Sequence, residues 1–210
     1  MRGLSSLIRG AGSADTPAQT PQNTIVYAIG DIHGRLDLLK RLQEQIRKDA
    51  RDHADKRRVI VYLGDYVDRG LNSRDVIDRL IGDPLPGFES VHLKGNHEDA
   101  MLKFLDDIEI APGWMNYGGD TTLYSYGVTV PRPPFTPEKL SAAQAEFVRK
   151  LPRRHLDFLQ ALDIRHEEGD YFFVHAGVRP GRSLEEQREE DLLWIRDVFL
   201  FSADDFGKVI

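Results

Sequence analysis

Residues 58–70 have the sequence RVIVYLGDYVDRG, in which an apolar, β-branched run leads directly into a loop of glycines and carboxylates. A short apolar run that ends at glycine is typical of a buried strand. The same pattern occurs at 24–30 (TIVYAIG) and at 90–95 (SVHLKG). Apolar residues at helical spacing follow each run and predict helices at about 36–54, 73–81 and 98–105. Strands alternating with helices predict an α/β fold, in which ligands bind beyond the carboxyl ends of the strands.

The rest of the chain indicates one domain with a leader. Residues 1–23 are expected to be flexible, because 10–23 are rich in small and polar residues that bury little apolar surface. Residues 24–210 are expected to form a single domain, given a usual size of roughly 150 residues. Within it, 111–134 is predicted to be irregular, 137–162 to form two helices separated at Pro152, and 171–174 to form a strand.

Composition excludes several functional classes. The chain has 40% hydrophobic and 30% charged residues and a net charge of -6, which argues against a general nucleic-acid binder. It has no cysteine, so a metal site must use other ligands. No apolar run reaches the roughly 20 residues that cross a bilayer, and no signal peptide is evident. We therefore expect a cytoplasmic protein with no membrane partner, while the sequence leaves the oligomeric state open.

Three loops at the ends of the predicted strands contain the candidate metal-binding and catalytic residues. They are GDIHG at 30–34, GDYVDRG at 64–70 and GNHE at 95–98. Aspartate, histidine and asparagine offer ligand atoms suited to manganese, iron or zinc. Glycines allow sharp turns close to the ions. One carboxylate can bridge two ions about 3.5–4 Å apart, a spacing that clamps both ends of a phosphoryl displacement. Asp65 is the candidate bridge.

These loops resemble the GDxHG, GDxxDRG and GNHE motifs of the metal-dependent phosphoprotein phosphatases, which are serine/threonine phosphatase-like, calcineurin-like metallophosphoesterases, here of bacterial type. The resemblance extends from Ile25 onward and implies a two-sheet β-sandwich flanked by helices in four layers. It also implies two divalent metal ions, with manganese as the first choice and iron or zinc as alternatives. The implied ligands are Asp31, His33 and Asp65 for one ion and Asp65, Asn96 and His175 for the other.

The resemblance assigns roles to further residues. It implies that His97 is the general acid and that Asp68 orients it. It also implies that the substrate phosphate binds Arg69, Asn96 and Arg196. Family members continue beyond the position of Ile210 to another metal-binding histidine. We therefore expect a domain that is truncated at its C-terminus and has a weakened second metal site.

The implied function is hydrolysis of phosphate monoesters by metal-activated water, as in a serine/threonine protein phosphatase. Its partner would be a phosphorylated protein or a small phosphoester, and no nucleic acid. Hydrolysis of dinucleoside polyphosphates is an alternative, because bacterial relatives with this fold include such enzymes. A second alternative is a non-catalytic phosphoprotein-binding module with a decayed metal site.

Overall fold

A computed structural model describes residues 17–82 and 85–210. These residues form two compact units. The larger unit comprises residues 23–163, and the smaller unit comprises residues 17–22 together with 164–210.

A three-stranded parallel sheet lies in the larger unit, with its central strand between the other two. The strands are β1 (Thr24–Ile29), β2 (Arg57–Tyr62) and β3 (Glu89–His92), in the order β1-β2-β3. Residues 59–62 of the central strand are completely buried. A strand covered on both faces needs a continuous apolar sequence, which explains the unbroken run in β2. Each strand begins within one residue of the start of its predicted run.

A helix follows each strand, as predicted. These helices are α1 (Leu36–Asp49), α2 (Ser73–Ile81) and α3 (Asn96–Phe104). The first is shorter than expected, because the α-helix ends at Asp49 and the chain continues as a 3₁₀ turn over 50–53. Its buried residues include Leu39 and Ile46, seven positions apart on one face, so its apolar side packs into the core of the larger unit.

The prediction of irregular structure for 111–134 is wrong over its first half. Two short helices flank a π-helical turn there: α4 (Ala111–Trp114), the turn at Met115–Gly119, and α5 (Asp120–Ser125). Gly118, at φ 104°, interrupts the helical backbone, which explains why no continuous periodicity marks this segment. Burial of Trp114 and Leu123 in the core holds the segment in place.

Two longer helices complete the larger unit. They are α6 (Pro137–Lys150) and α7 (Arg153–Gln160), and Pro152 separates them as predicted. The side chain of Thr136 accepts a hydrogen bond from the backbone N–H of Lys139, which caps the start of α6.

The smaller unit is built on an antiparallel strand pair, with a core that includes Phe172, Val178 and Leu192. Its elements are β4 (Arg165–Glu168), β5 (Tyr171–Val174), α8 (Glu189–Trp194) and α9 (Asp197–Leu200). The hydroxyl of Tyr171 donates a hydrogen bond to the carbonyl of Ala18. Most of the predicted leader, residues 1–16, lies outside the described residues.

The α/β class is confirmed. Because the two sheets lie in different units, their stacking into a four-layer sandwich stays a prediction, as do the domain boundary at residue 24 and the C-terminal truncation. Along the described ranges, every helix is too short or too polar to cross a bilayer. The cytoplasmic location stays a prediction.

Candidate metal centre

The first two motif loops are joined by backbone hydrogen bonds beyond the ends of β1 and β2. The N–H groups of Ile32 and His33 donate to the carbonyl of Asp65 at 3.0 and 2.8 Å, and Gly70 N–H donates to the carbonyl of His33 at 3.1 Å. A Cβ at Gly70 would lie 2.3 Å from that same carbonyl oxygen. Glycine at this position therefore permits the approach that brings the predicted ligands together.

The carboxylate of Asp65 lies at the centre of a cluster of ligand atoms. Its Oδ2 is 3.6 Å from His33 Nε2 and 3.8 Å from His97 Nε2. His33 Nε2 is also 3.7 Å from Asp31 Oδ2. One suitable atom each from His33, Asp65 and His97 lie within 4.8 Å of one another. The structure thus brings Asp31, His33 and Asp65 together as predicted for one ion.

Two buried polar atoms on the motif loops fit the presence of metal ions. His33 Nε2 and Asn96 Oδ1 are buried and have no hydrogen-bond partner among residues 17–82 and 85–210. The other ring nitrogen of His33, Nδ1, lies 2.9 Å from the carbonyl of Val67 and donates to it. This arrangement fixes the tautomer and leaves Nε2 with a free lone pair, as in metal-bound histidines. A buried polar atom without a partner is costly, and a bound metal ion would satisfy each of these atoms at its own predicted ligand position.

The predicted general acid, His97, and the carboxylate that orients it, Asp68, form a hydrogen-bonded acid pair. His97 Nδ1 lies 2.6 Å from Asp68 Oδ2, and Asp68 is completely buried. Burial alone would lower the pKa of His97, but the hydrogen bond to Asp68 and the charges of Asp65 and Asp68 outweigh it and raise that pKa above its usual value. His97 is therefore held ready to carry a proton.

Arg69 lies against the other nitrogen of the same ring. Its Nη2 is 3.3 Å from His97 Nε2. A guanidinium has only donors, so in this arrangement Nε2 accepts and Nδ1–H donates to Asp68. Protonation of His97 at Nε2 would leave two donors facing each other and would end this hydrogen bond.

Sequence reasoning missed the two side chains that hold Asp68. Trp114 Nε1–H donates to Asp68 Oδ2 at 2.8 Å, and the hydroxyl of Thr122 donates to Asp68 Oδ1 at 2.6 Å. Both come from the segment that was predicted to be irregular. A tryptophan and a threonine eight residues apart carry no motif, so only the helical structure of this segment reveals their role.

Sequence reasoning also missed the role of Glu98, the last residue of the third motif. Its completely buried carboxylate accepts from four backbone N–H groups, at distances of 2.8 to 3.2 Å. These donors are Asp65, Tyr66, Val67 and Gly95. Burial and the charge of Asp65 raise the pKa of Glu98 above its usual value, while the backbone hydrogen bonds act in the opposite direction. One side chain therefore joins the second loop to the third.

The remaining two site predictions fall in the smaller unit. His175 follows β5, and the N–H of the next residue, Ala176, donates to the carbonyl of Leu192 at 2.9 Å. Arg196 is exposed and precedes α9. Their participation in the metal and phosphate sites stays a prediction.

The site and the fold agree with a comparison to known families. The sequence profile of the calcineurin-like phosphoesterases matches residues 25–210. The chain belongs to this family. The broader resemblance derived from the motifs is therefore confirmed, and the family accounts for divalent-metal ligands at this position.

Individual relatives of this metallophosphoesterase carry more specific names. The chain is 34% identical, over 78% of its length, to a symmetrical bis(5'-nucleosyl)-tetraphosphatase of Dechloromonas aromatica (strain RCB), 47% of which is covered. It is 31% identical over 37% of its length to an asymmetrical bis(5'-nucleosyl)-tetraphosphatase of Halalkalibacterium halodurans, 32% of which is covered. The chain thus spans half or less of the length of these relatives.

Among solved structures, a metallophosphoesterase from Sphaerobacter thermophilus is similar. It is 22% identical with a TM-score of 0.36, and the match covers 72% of this chain and 46% of that one.

Proposed function

We propose that this metallophosphoesterase hydrolyses a phosphoanhydride bond of dinucleoside polyphosphates. The observation that carries the proposal is the 34% identity to a symmetrical bis(5'-nucleosyl)-tetraphosphatase over 78% of the chain. A second relative with a tetraphosphatase name supports the same substrate class. The site is consistent with this chemistry, because it combines metal ligands, a phosphate-binding arginine and a proton donor.

Asp31, His33, Asp65 and Asn96 would hold the metals, and manganese is the first to test, ahead of iron and zinc. Divalent ions at such a site activate water and stabilise negative charge on the transferring phosphoryl group. The chain supplies the other steps. Arg69 binds non-bridging phosphate oxygens with its planar fork of donors. As water attacks phosphorus, the bond to the leaving nucleotide oxygen breaks, and His97 Nε2 can give that oxygen a proton.

Hydrolysis of phosphoproteins is the second candidate, and the buried acid pair favours it. A serine alkoxide is a strongly basic leaving group and needs a proton during departure. A nucleotide leaves as a phosphate whose second pKa is about 6, so it has less need of an acid. Asp68 orients His97, and Trp114 and Thr122 both donate hydrogen bonds to Asp68. Such firm positioning of a proton donor is consistent with an ester substrate.

A direct test compares substrates on one manganese-loaded preparation of the chain. The substrates are diadenosine tetraphosphate, a phosphoserine peptide and a chromogenic phosphomonoester. We expect the highest kcat/KM with diadenosine tetraphosphate, and chromatography of the products shows which anhydride bond breaks. Asp65→Asn is the control, and it should abolish metal-dependent turnover of every substrate.

Other outcomes would replace the proposal. A higher kcat/KM for the phosphoserine peptide would favour the second candidate. Binding of the peptide without turnover of any substrate would indicate a phosphoprotein-binding module.

A further inference from the structure

A cavity of about 680 Å³ lies in the larger unit, between the helical segment 115–124 and the loop 128–135. Its volume is in the range of roughly 300–1,000 Å³ that is usual for small-molecule sites. None of the residues assigned above to metal or proton chemistry lines it. Its lining includes Met115, Asn116, Asp120, Tyr124, Arg132 and Phe135.

The wall of this cavity is part of the structure that orients the acid pair. Asn116 lies two residues after Trp114, which donates to Asp68. Asp120 lies two residues before Thr122, which also donates to Asp68. Two residues span at most about 7 Å of chain. The cavity and the acid pair are therefore neighbours on one segment.

A backbone hydrogen bond makes a second connection. The N–H of Arg69 donates to the carbonyl of Gly118 at 3.1 Å, and the hydroxyl of Thr121 donates to the same carbonyl at 2.7 Å. A Cβ at Gly118 would lie 2.6 Å from Arg69 N, so the turn at 115–119 packs directly on the phosphate-binding loop. The segment that lines one side of the cavity therefore contacts the loop that carries Arg69.

The chemistry of the lining suits a nucleobase. Tyr124 exposes 64% of its surface, and Phe135 is half-buried, so both rings are accessible for stacking. Asn116 offers amide donors and acceptors that match the edge of a base. Among the described residues of the lining, Arg132 is the single cation and Asp120 offsets its charge, so the cavity is poorly suited to additional phosphates.

We propose that this cavity binds the base of the nucleotide whose phosphate lies at Arg69, with Tyr124 as the main stacking surface. The inference rests on the proposed function, because it assumes a nucleotide substrate. It goes further by assigning base recognition to residues outside the metal-binding motifs.

Calorimetric titration of the manganese-loaded chain tests this assignment without relying on turnover. The ligands are AMP and ribose 5-phosphate, which share the sugar phosphate and differ by the base. Stacking of a base on an aromatic side chain should make AMP bind between about fivefold and a hundredfold more tightly. Tyr124→Ala should remove most of this ratio of affinities, and Tyr124→Phe should keep it.

Tyr117→Ala is the matched control. Tyr117 also exposes 64% of its surface and lies earlier in the same segment as Tyr124, but it does not line the cavity. Both tyrosines are exposed, so neither substitution removes buried core, and thermal unfolding should be unchanged in both variants. The control should retain the full preference for AMP.

The outcomes separate this inference from the proposed function. Equal affinity of the unaltered chain for AMP and ribose 5-phosphate would overturn the base site, even if diadenosine tetraphosphate is hydrolysed. Equal loss of preference in Tyr117→Ala and Tyr124→Ala would also overturn it. A preference for AMP that depends on Tyr124, without turnover of any dinucleotide, would support the base site and reject the proposed function.

Discussion

Replacement of His97 by asparagine should affect the two candidate substrate classes very differently. The ring nitrogen Nδ1 is 2.6 Å from Asp68 Oδ2, and the side chain is 8% exposed, so the acid is fixed and shielded from water. Asparagine can still donate to Asp68 but cannot deliver a proton. Because His97 is not an assigned metal ligand, the variant should fold and retain its metal content.

The size of the effect follows from the leaving group. Proton transfer by a positioned side chain contributes about 10²- to 10⁴-fold, or about 3–5 kcal/mol of the barrier. A departing serine alkoxide needs nearly all of this help. A departing nucleotide, with a phosphate pKa of about 6, needs little. We therefore expect kcat/KM to fall by at least about 100-fold for a phosphoserine peptide and by less than about tenfold for diadenosine tetraphosphate.

The assay is kcat/KM for both substrates, with metal content measured by mass spectrometry on the same samples. His53→Asn is the matched control, because it makes the same change in the 3₁₀ turn after α1, away from the site. Equal losses on the two substrates, with full metal content, would refute the assignment of His97 as a leaving-group acid.

Three further predictions concern stability and metal binding. Glu98→Gln places an amide donor against backbone N–H groups and should lower the free energy of unfolding by about 1–3 kcal/mol in urea titrations; an unchanged midpoint would contradict the role of Glu98 in joining the loops. Gly95→Ala would place a Cβ 2.2 Å from Asp65 Oδ1, so bound manganese should fall, whereas Gly30→Ala meets nothing within 4 Å and should keep its metal. Burial lowers the pKa of His92 from 6.5 to about 4, so the folded state binds fewer protons than the unfolded state, and stability should fall as the pH drops from 6.5 to about 4. His92→Phe should reduce that acid sensitivity in urea titrations at pH 7 and pH 4.5; equal sensitivity in both proteins would show that His92 is not its source.

The sequence was sufficient to predict those parts of the molecule in which the local residue pattern directly reflects the position in the fold. Residues 59–62 are apolar because β2 is covered on both faces, so its sequence alone identifies it. Asp31, His33 and Asp65 follow strands, and parallel strands bring their carboxyl ends to one edge. Their proximity therefore follows from the strand prediction together with the motifs.

The parts that escaped prediction depend on contacts between distant segments. Thr122 contacts Asp68 across 54 positions, and Trp114 does so across 46. The glycines at 118 and 119 resemble a loop in sequence, yet Gly119 lies in a helical turn where a Cβ would be 2.4 Å from the Trp114 ring. Glycine is needed at this position because the backbone packs against the indole. From the sequence alone, a glycine required for packing looks the same as a glycine in a flexible loop.

Backbone strain explains why so many supporting contacts surround a few ligands. His33, Asp65, Asp68 and Arg69 all have positive φ, at 44°, 53°, 71° and 64°. Each such conformation in a non-glycine residue costs of order 1–3 kcal/mol and persists only where neighbouring structure enforces it. The hydrogen bonds between the loops and the four N–H donors to Glu98 provide that enforcement. Because these contacts involve only the chain itself, they can hold the ligands in place before any cation binds.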